Sequence, residues 1–127
     1  MGSRKIEDAD PILQNAFLKA IELYKEKYPE KPQPFLTCSH RSEAEQMELY
    51  AQGRSKPGKI VTYLKKGSKH NSYPSHAIDI AFKNKAGKLD WSSELFSLFA
   101  DIIKSTDARI YWGGDWKRFR DAPHFEI

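Results

Sequence analysis

Cysteine is almost missing from this 127-residue chain, where Cys38 stands alone. A single thiol makes no internal disulfide and no thiolate-rich metal cluster, so the fold needs no oxidising compartment. Any metal must therefore be held by histidine and carboxylate. Long apolar runs are missing too: no stretch reaches the length that crosses a bilayer, and the N-terminus lacks the apolar centre of a secretory signal. The expectation is a soluble product made in the cytoplasm without a signal peptide. Internal repeats and low-complexity segments are absent, so nothing divides the chain, and one domain over residues 1–127 is expected. Its opening Met-Gly-Ser reads as an expression remnant rather than as part of the fold.

What is present belongs to a globular protein: 39% hydrophobic and 30% charged residues, with seven Phe, six Tyr and three Trp. The excess of 21 Lys and Arg over 17 Asp and Glu gives a net charge of +4. That excess favours anionic polymers without specifying one, and no nucleic-acid-binding motif accompanies it.

Leu13, Phe17, Ala20, Ile21 and Tyr24 recur at helical spacing from Asp10 to Tyr28, with Pro11 suited to the first turn. Pro34 to Ser39 reads as a short strand. Ser42 and Glu45 form a capping box for a helix from Glu43 to about Gln52, which Gly53 ends. Gly53 to Ser75 is polar and Lys-rich apart from Ile60 to Leu64, and is expected to be a long functional loop interrupted by one short strand. Ala77 to Phe82 alternates, with Ile78, Ile80 and Phe82 on an apolar face and Asp79 on the other. Leu95, Leu98, Phe99, Ile102 and Ile103 mark a core helix from Trp91 to Lys104. Arg109 to Trp112 and His124 to Ile127 read as strands, and His124 shares a face with Glu126.

Zinc sites that do chemistry commonly take three protein ligands and leave a fourth position open. His70 in a polar loop, Asp79 on one strand and His124 on another offer such a set. Each alone is as readily a solvated surface group.

Three blocks supply context: TCSHRSEAEQMELYAQGRS from Thr37, SKHNSYPSHAIDIAF from Ser68, and WGGDWKRFRDAPHFEI from Trp112. From about Leu36 onward, in order and separation, they resemble the zinc D-alanyl-D-alanine carboxypeptidases and phage L-alanyl-D-glutamate endopeptidases (endolysins), which share a fold with the hedgehog signalling domain. The resemblance implies an α+β domain in which a small, mainly antiparallel sheet is covered by two to three helices. It implies zinc on His70, Asp79 and His124, Asp121 as general base and then acid, and Arg41 polarising the scissile carbonyl. Ser68 and Gln46 fall at recurring positions associated with substrate binding. The gap between His70 and Asp79 is longer than in the family's commoner form, with Ser75 where a glycine would stand; phage-associated relatives look similar to this longer form.

The implied function is zinc-dependent hydrolysis of peptidoglycan stem peptides by a monomer, as an L-alanyl-D-glutamate endopeptidase that reaches the bacterial wall after phage-mediated release. D-alanyl-D-alanine carboxypeptidase action and a non-catalytic wall-binding module of the same fold are the alternatives. Glu126 is the rival general base or a support for His124. His76 and His40 read as rim or surface residues, Cys38 as a packing residue, and Trp112, Trp116 and Tyr73 as groove-shaping or packing aromatics.

Overall fold

The computed structural model describes residues 2–127. Helix α1, Pro11–Lys27, begins where Asp10 accepts a hydrogen bond from the Ile12 amide and Pro11 occupies the first turn. Its Leu13, Ala16, Phe17, Ala20 and Tyr24 are buried along one stripe. Strand β1, Gln33–Cys38, leads into α2, Glu43–Ala51, whose capping box closes from both sides: Ser42 Oγ accepts from Glu45 N, and Glu45 Oε1 accepts from Ser42 N. Strand β2 covers Ala77–Lys83, α3 covers Ser93–Thr106, and short strands β3, Tyr111–Trp112, and β4, His124–Glu126, complete the chain.

All the pairings in the four-stranded sheet, ordered β1-β2-β4-β3, are antiparallel. One face carries Ile78, Ile80, Phe82 and Phe125 against α1 and α3. Aromatic edges interlock there, with ring centroids 4.8 Å apart for Phe82 and Phe96, 5.6 Å for Phe99 and Phe125, and 6.4 Å for Phe17 and Phe99. Full burial of each such ring contributes about 1.5–3 kcal/mol. Helix α2 gives no side chain to this cluster and buries only Gln46.

Two features of the strands aim residues away from the core. In β1 the register against β2 slips between Leu36, opposite Ile80, and Cys38, opposite Asp79. This bulge turns Cys38 toward the face that carries Asp79. In β4, His124 lies directly opposite Asp79.

The expected strand at Ile60 to Leu64 does not form; the segment is irregular, and Ile60, Val61, Tyr63 and Leu64 are all exposed. It pairs with neither outer strand of the sheet, and its Leu64 carbonyl is taken by Gln46. Gly2 and Ser3, expected to stand outside the fold, are hydrogen-bonded into it: Gly2 N donates to Glu45 Oε2 (2.7 Å), Ser3 N to His40 O, and Ser39 N to Ser3 O. Among the described residues no helix is long and apolar enough to cross a membrane.

Candidate metal centre and active site

His70 sits in a short 3-10 turn, Lys69–Asn71, capped reciprocally by Ser68 Oγ and the Asn71 side chain. The turn is fastened to the residues after β1, since Arg41 N donates to His70 O (2.8 Å) and Asn71 Nδ2 donates to Arg41 O (2.8 Å). His70 Nδ1 lies 2.7 Å from the Ser39 carbonyl oxygen, which can only accept, so Nδ1 carries the proton. Its Nε2 is then turned inward, 3.3 Å from Asp79 Oδ2. It is the one buried side-chain nitrogen or oxygen among the described residues with no hydrogen-bond partner.

Asp79 and His124 meet across the β2–β4 pair, with Asp79 Oδ1 3.2 Å from His124 Nδ1. One donor atom each from His70, Asp79 and His124 fall within 4.8 Å of one another. Two imidazoles and a carboxylate converging on one point, one of them with an orphaned buried nitrogen, fit a divalent metal of zinc's ligand preference.

The charges show what this centre demands. Burial would raise the Asp79 carboxyl, but His124 and His70 hold it well below the usual carboxylate range. Burial would lower both imidazoles, yet Asp79 draws His70 up to about 10, and Asp79 with Glu126 draws His124 up to about 9. A buried anion is calling for positive charge, which protons supply in the metal-free chain.

Around this set, Arg41 Nη2 stands 3.6 Å from Asp79 Oδ2, and its Nη1 donates to Gln46 Oε1 (2.8 Å). Asp121 Oδ2 is 4.0 Å from His124 Nδ1, half-exposed, and no hydrogen bond among the described residues engages its carboxylate. Its pKa is raised, first by burial and then by the nearby Asp79 charge. Trp116 packs against His124 with ring centroids 5.2 Å apart.

All three expected ligands, together with Arg41, Ser68 and Asp121, line one cleft of about 650 Å³. Gln46 does not: it is fully buried, its amide spent on Arg41 Nη1, Leu64 O (2.6 Å) and Thr62 Oγ1. Direct substrate contact is thus replaced by support of Arg41 and of the loop wall. Ser68 caps the turn of His70 as well as lining the cleft.

His76 is exposed and His40 contacts Tyr73 edge-on, both away from the cleft lining. Cys38 is buried behind the cleft, 3.8 Å from His70 Nδ1 and 3.6 Å from Arg41 Nη2, and does not line it. Trp112 stacks on Phe125 and packs on the core, while Trp116 lines the cleft. The sequence reading missed the cleft's outer walls, Tyr63 with Phe119 and Arg118 with Arg120. The exposed aromatics amid basic residues were their only signal.

A sequence model of the D-alanyl-D-alanine carboxypeptidase family of peptidases matches residues 63–127. The chain belongs to that family. The matched segment holds the three ligand candidates and Asp121, and leaves Arg41 and Gln46 upstream. Within the family, the chain is 40% identical over 99 residues to the peptidoglycan L-alanyl-D-glutamate endopeptidase CwlK of Bacillus subtilis. The match takes in 72% of this chain and 59% of that relative, so this chain spans about three fifths of the relative's length. The crystal structure of the L-Ala D-Glu endopeptidase ChiX of Serratia marcescens superposes with a TM-score of 0.74, at 21% identity, over 100% of this chain and 88% of that one. The family therefore takes, in this chain, the α+β fold of ChiX: three helices and a four-stranded antiparallel sheet.

Proposed function

We propose that the chain is a zinc-dependent endopeptidase that hydrolyses the L-alanyl-D-glutamate bond of peptidoglycan stem peptides. The observation that carries this reading is the convergence of His70, Asp79 and His124 in the cleft that also presents Asp121 and Arg41. Likeness to CwlK supports the choice of bond.

Zinc held by His70, Asp79 and His124 would supply Lewis acidity, lowering the pKa of water and polarising a carbonyl. Asp121 acts as general base on the attacking water, since its carboxylate has both oxygens free and its raised pKa lets it keep the proton. It then returns that proton to the leaving D-glutamyl amine. Arg41 holds a permanent charge at the cleft floor, braced by Gln46, where oxyanion charge develops on the scissile carbonyl. Tyr63, Trp116 and Phe119 bound the groove in which the peptide stem lies.

The test is digestion of purified sacculi by wild type and Asp121→Ala, with and without a chelator, followed by mass spectrometry of the fragments. Chelator-sensitive release of fragments with a new D-glutamyl N-terminus is expected from wild type alone. Release of free D-alanine would instead identify a carboxypeptidase. Zinc-loaded protein that binds sacculi but cleaves none would identify a wall-binding module.

A further inference from the structure

We infer that Glu126, held in place by Lys69, is a positioning residue that decides which nitrogen His124 offers to the metal. This rests on the metal reading above and adds a residue outside the ligand set.

His124 Nε2 lies 2.8 Å from Glu126 Oε1, while its Nδ1 faces Asp79 Oδ1. Each ring nitrogen thus faces a carboxylate, but only Asp79 belongs to the ligand set and the bond to Glu126 is the shorter, so when the ring is neutral for ligation its proton stays on Nε2 against Glu126 and the lone pair falls on Nδ1. Without Glu126 the ring could carry its proton on either nitrogen and turn about its axis. Glu126 is itself fixed: its other oxygen pairs with Lys69 Nζ at 2.9 Å, and that ammonium also donates to Ile127 O at 2.8 Å.

The ion pair joins the two ligand-bearing segments directly. Lys69 immediately precedes His70, and Glu126 follows closely after His124. The Glu126 side chain is 17% exposed, so its bonds are partly shielded from water and from salt. His70 is locked the opposite way, with Nδ1 given to Ser39 O and Nε2 left for the metal. The two histidines thus face the centre through different nitrogens, one set by a backbone carbonyl and the other by Glu126. This also separates the two carboxylates near His124. Both Glu126 oxygens are engaged, by His124 and Lys69, whereas no hydrogen bond among the described residues engages the Asp121 carboxylate, whose Oδ2 stands 4.0 Å from His124 Nδ1.

The experiment compares zinc affinity of wild type, Glu126→Gln and Glu126→Ala by competition with a chromophoric chelator. It adds the absorption spectrum of each cobalt-substituted protein and imidazole nitrogen NMR of the zinc-loaded wild type. Glu126→Ala should lose affinity by about 10–100-fold and shift the cobalt bands, as loss of an outer partner of a ligating histidine does. Glu126→Gln, which keeps an acceptor, should lose less. The NMR should show His124 bound through Nδ1 with Nε2 protonated. Unchanged zinc affinity in Glu126→Ala, or His124 bound through Nε2, overturns the inference. Should Glu126→Ala fail to fold, the NMR and the Glu126→Gln cobalt spectrum decide. A wild type that takes up no zinc removes the metal reading, and this inference with it, before any variant is compared.

Discussion

Gly113 and Asp121 are in backbone contact: Asp121 N donates to Gly113 O at 3.0 Å, and the bare Cα of Gly113 lies where any Cβ would overlap the Asp121 carbonyl oxygen. That carbonyl in turn accepts from His124 N. Gly113→Ala should therefore displace both Asp121 and His124, although Gly113 does not line the cleft. We expect a loss of about 1–3 kcal/mol in stability, as for other overpacked sites, together with weaker zinc binding. Denaturant melts and zinc titration of the purified variant check both; a variant that matches wild type in each would show that the turn yields freely.

Asp121→Ala should separate chemistry from metal binding. We expect kcat on a stem peptide to fall by about 10²–10⁴-fold, the usual contribution of a general acid–base group. Zinc content should stay at the wild-type level, because Asp121 is outside the ligand set. Stopped-time assays paired with metal analysis read the two quantities independently, and loss of zinc with activity would move Asp121 into the ligand set.

Proton linkage follows from the charge balance at Asp79. In the metal-free chain His70 and His124 are raised to about 10 and about 9, so both rings are protonated at neutral pH. Ligation requires their lone pairs, so zinc uptake near pH 7 should release protons, and affinity should climb as pH rises toward those values. The folded-state shift has a second consequence of definite sign. Groups raised above their unfolded value stabilise the fold below about pH 6.5 and lose that contribution as pH rises through 9 to 10. Calorimetry in two buffers of different ionisation enthalpy measures the first effect. Melts of chelator-treated protein between pH 6 and 10 measure the second, and a melting temperature that rose across that range would contradict it.

Phe119 has a left-handed backbone, with φ at 52°, and yet carries a large exposed ring that packs on Tyr63 across the cleft mouth at 4.7 Å between centroids. The left-handed conformation costs a side-chain-bearing residue about 1–2 kcal/mol. Phe119→Gly relieves that cost, against about 0.5–1 kcal/mol from the freedom glycine gains when unfolded. The variant should melt no lower than wild type while its KM for stem peptide rises and kcat holds. A drop in kcat alone would assign the ring to the chemistry instead of the groove.

Much of this centre was legible because its residues sit in regular elements. The alternation of Ile78, Ile80 and Phe82 placed Asp79 on the far face of β2, and the capping box at Ser42 and Glu45 marked where α2 starts and hence where Arg41 falls. Helix spacing likewise located Leu13 to Tyr24 and Leu95 to Ile103 in the core. What could not be read was set by contacts distant in sequence. Gln46 resembled a substrate residue until its amide was found buried between Arg41 and Leu64. Ile60 to Leu64 has a strand's composition, but a strand forms only where the fold brings the segment alongside a partner, which composition does not determine. Lys69 looked like one more lysine in a basic loop; only the fold brings it to Glu126.

The bulge in β1 has a bearing on which changes of length the molecule can absorb. Were β1 to pair regularly through this point with Thr37 kept, Thr37 would fall opposite Asp79, and Cys38 would come to face Ile78 on the core side. The stretch from Cys38 to Arg41 would then be carried onward half a pleat out of phase, taking with it the carbonyl that holds His70 and the guanidinium beside Asp79. Parity at this one place therefore bears on the candidate centre, whereas the segment from 57 to 67 pairs with no strand, so a change of length there reverses no sheet face.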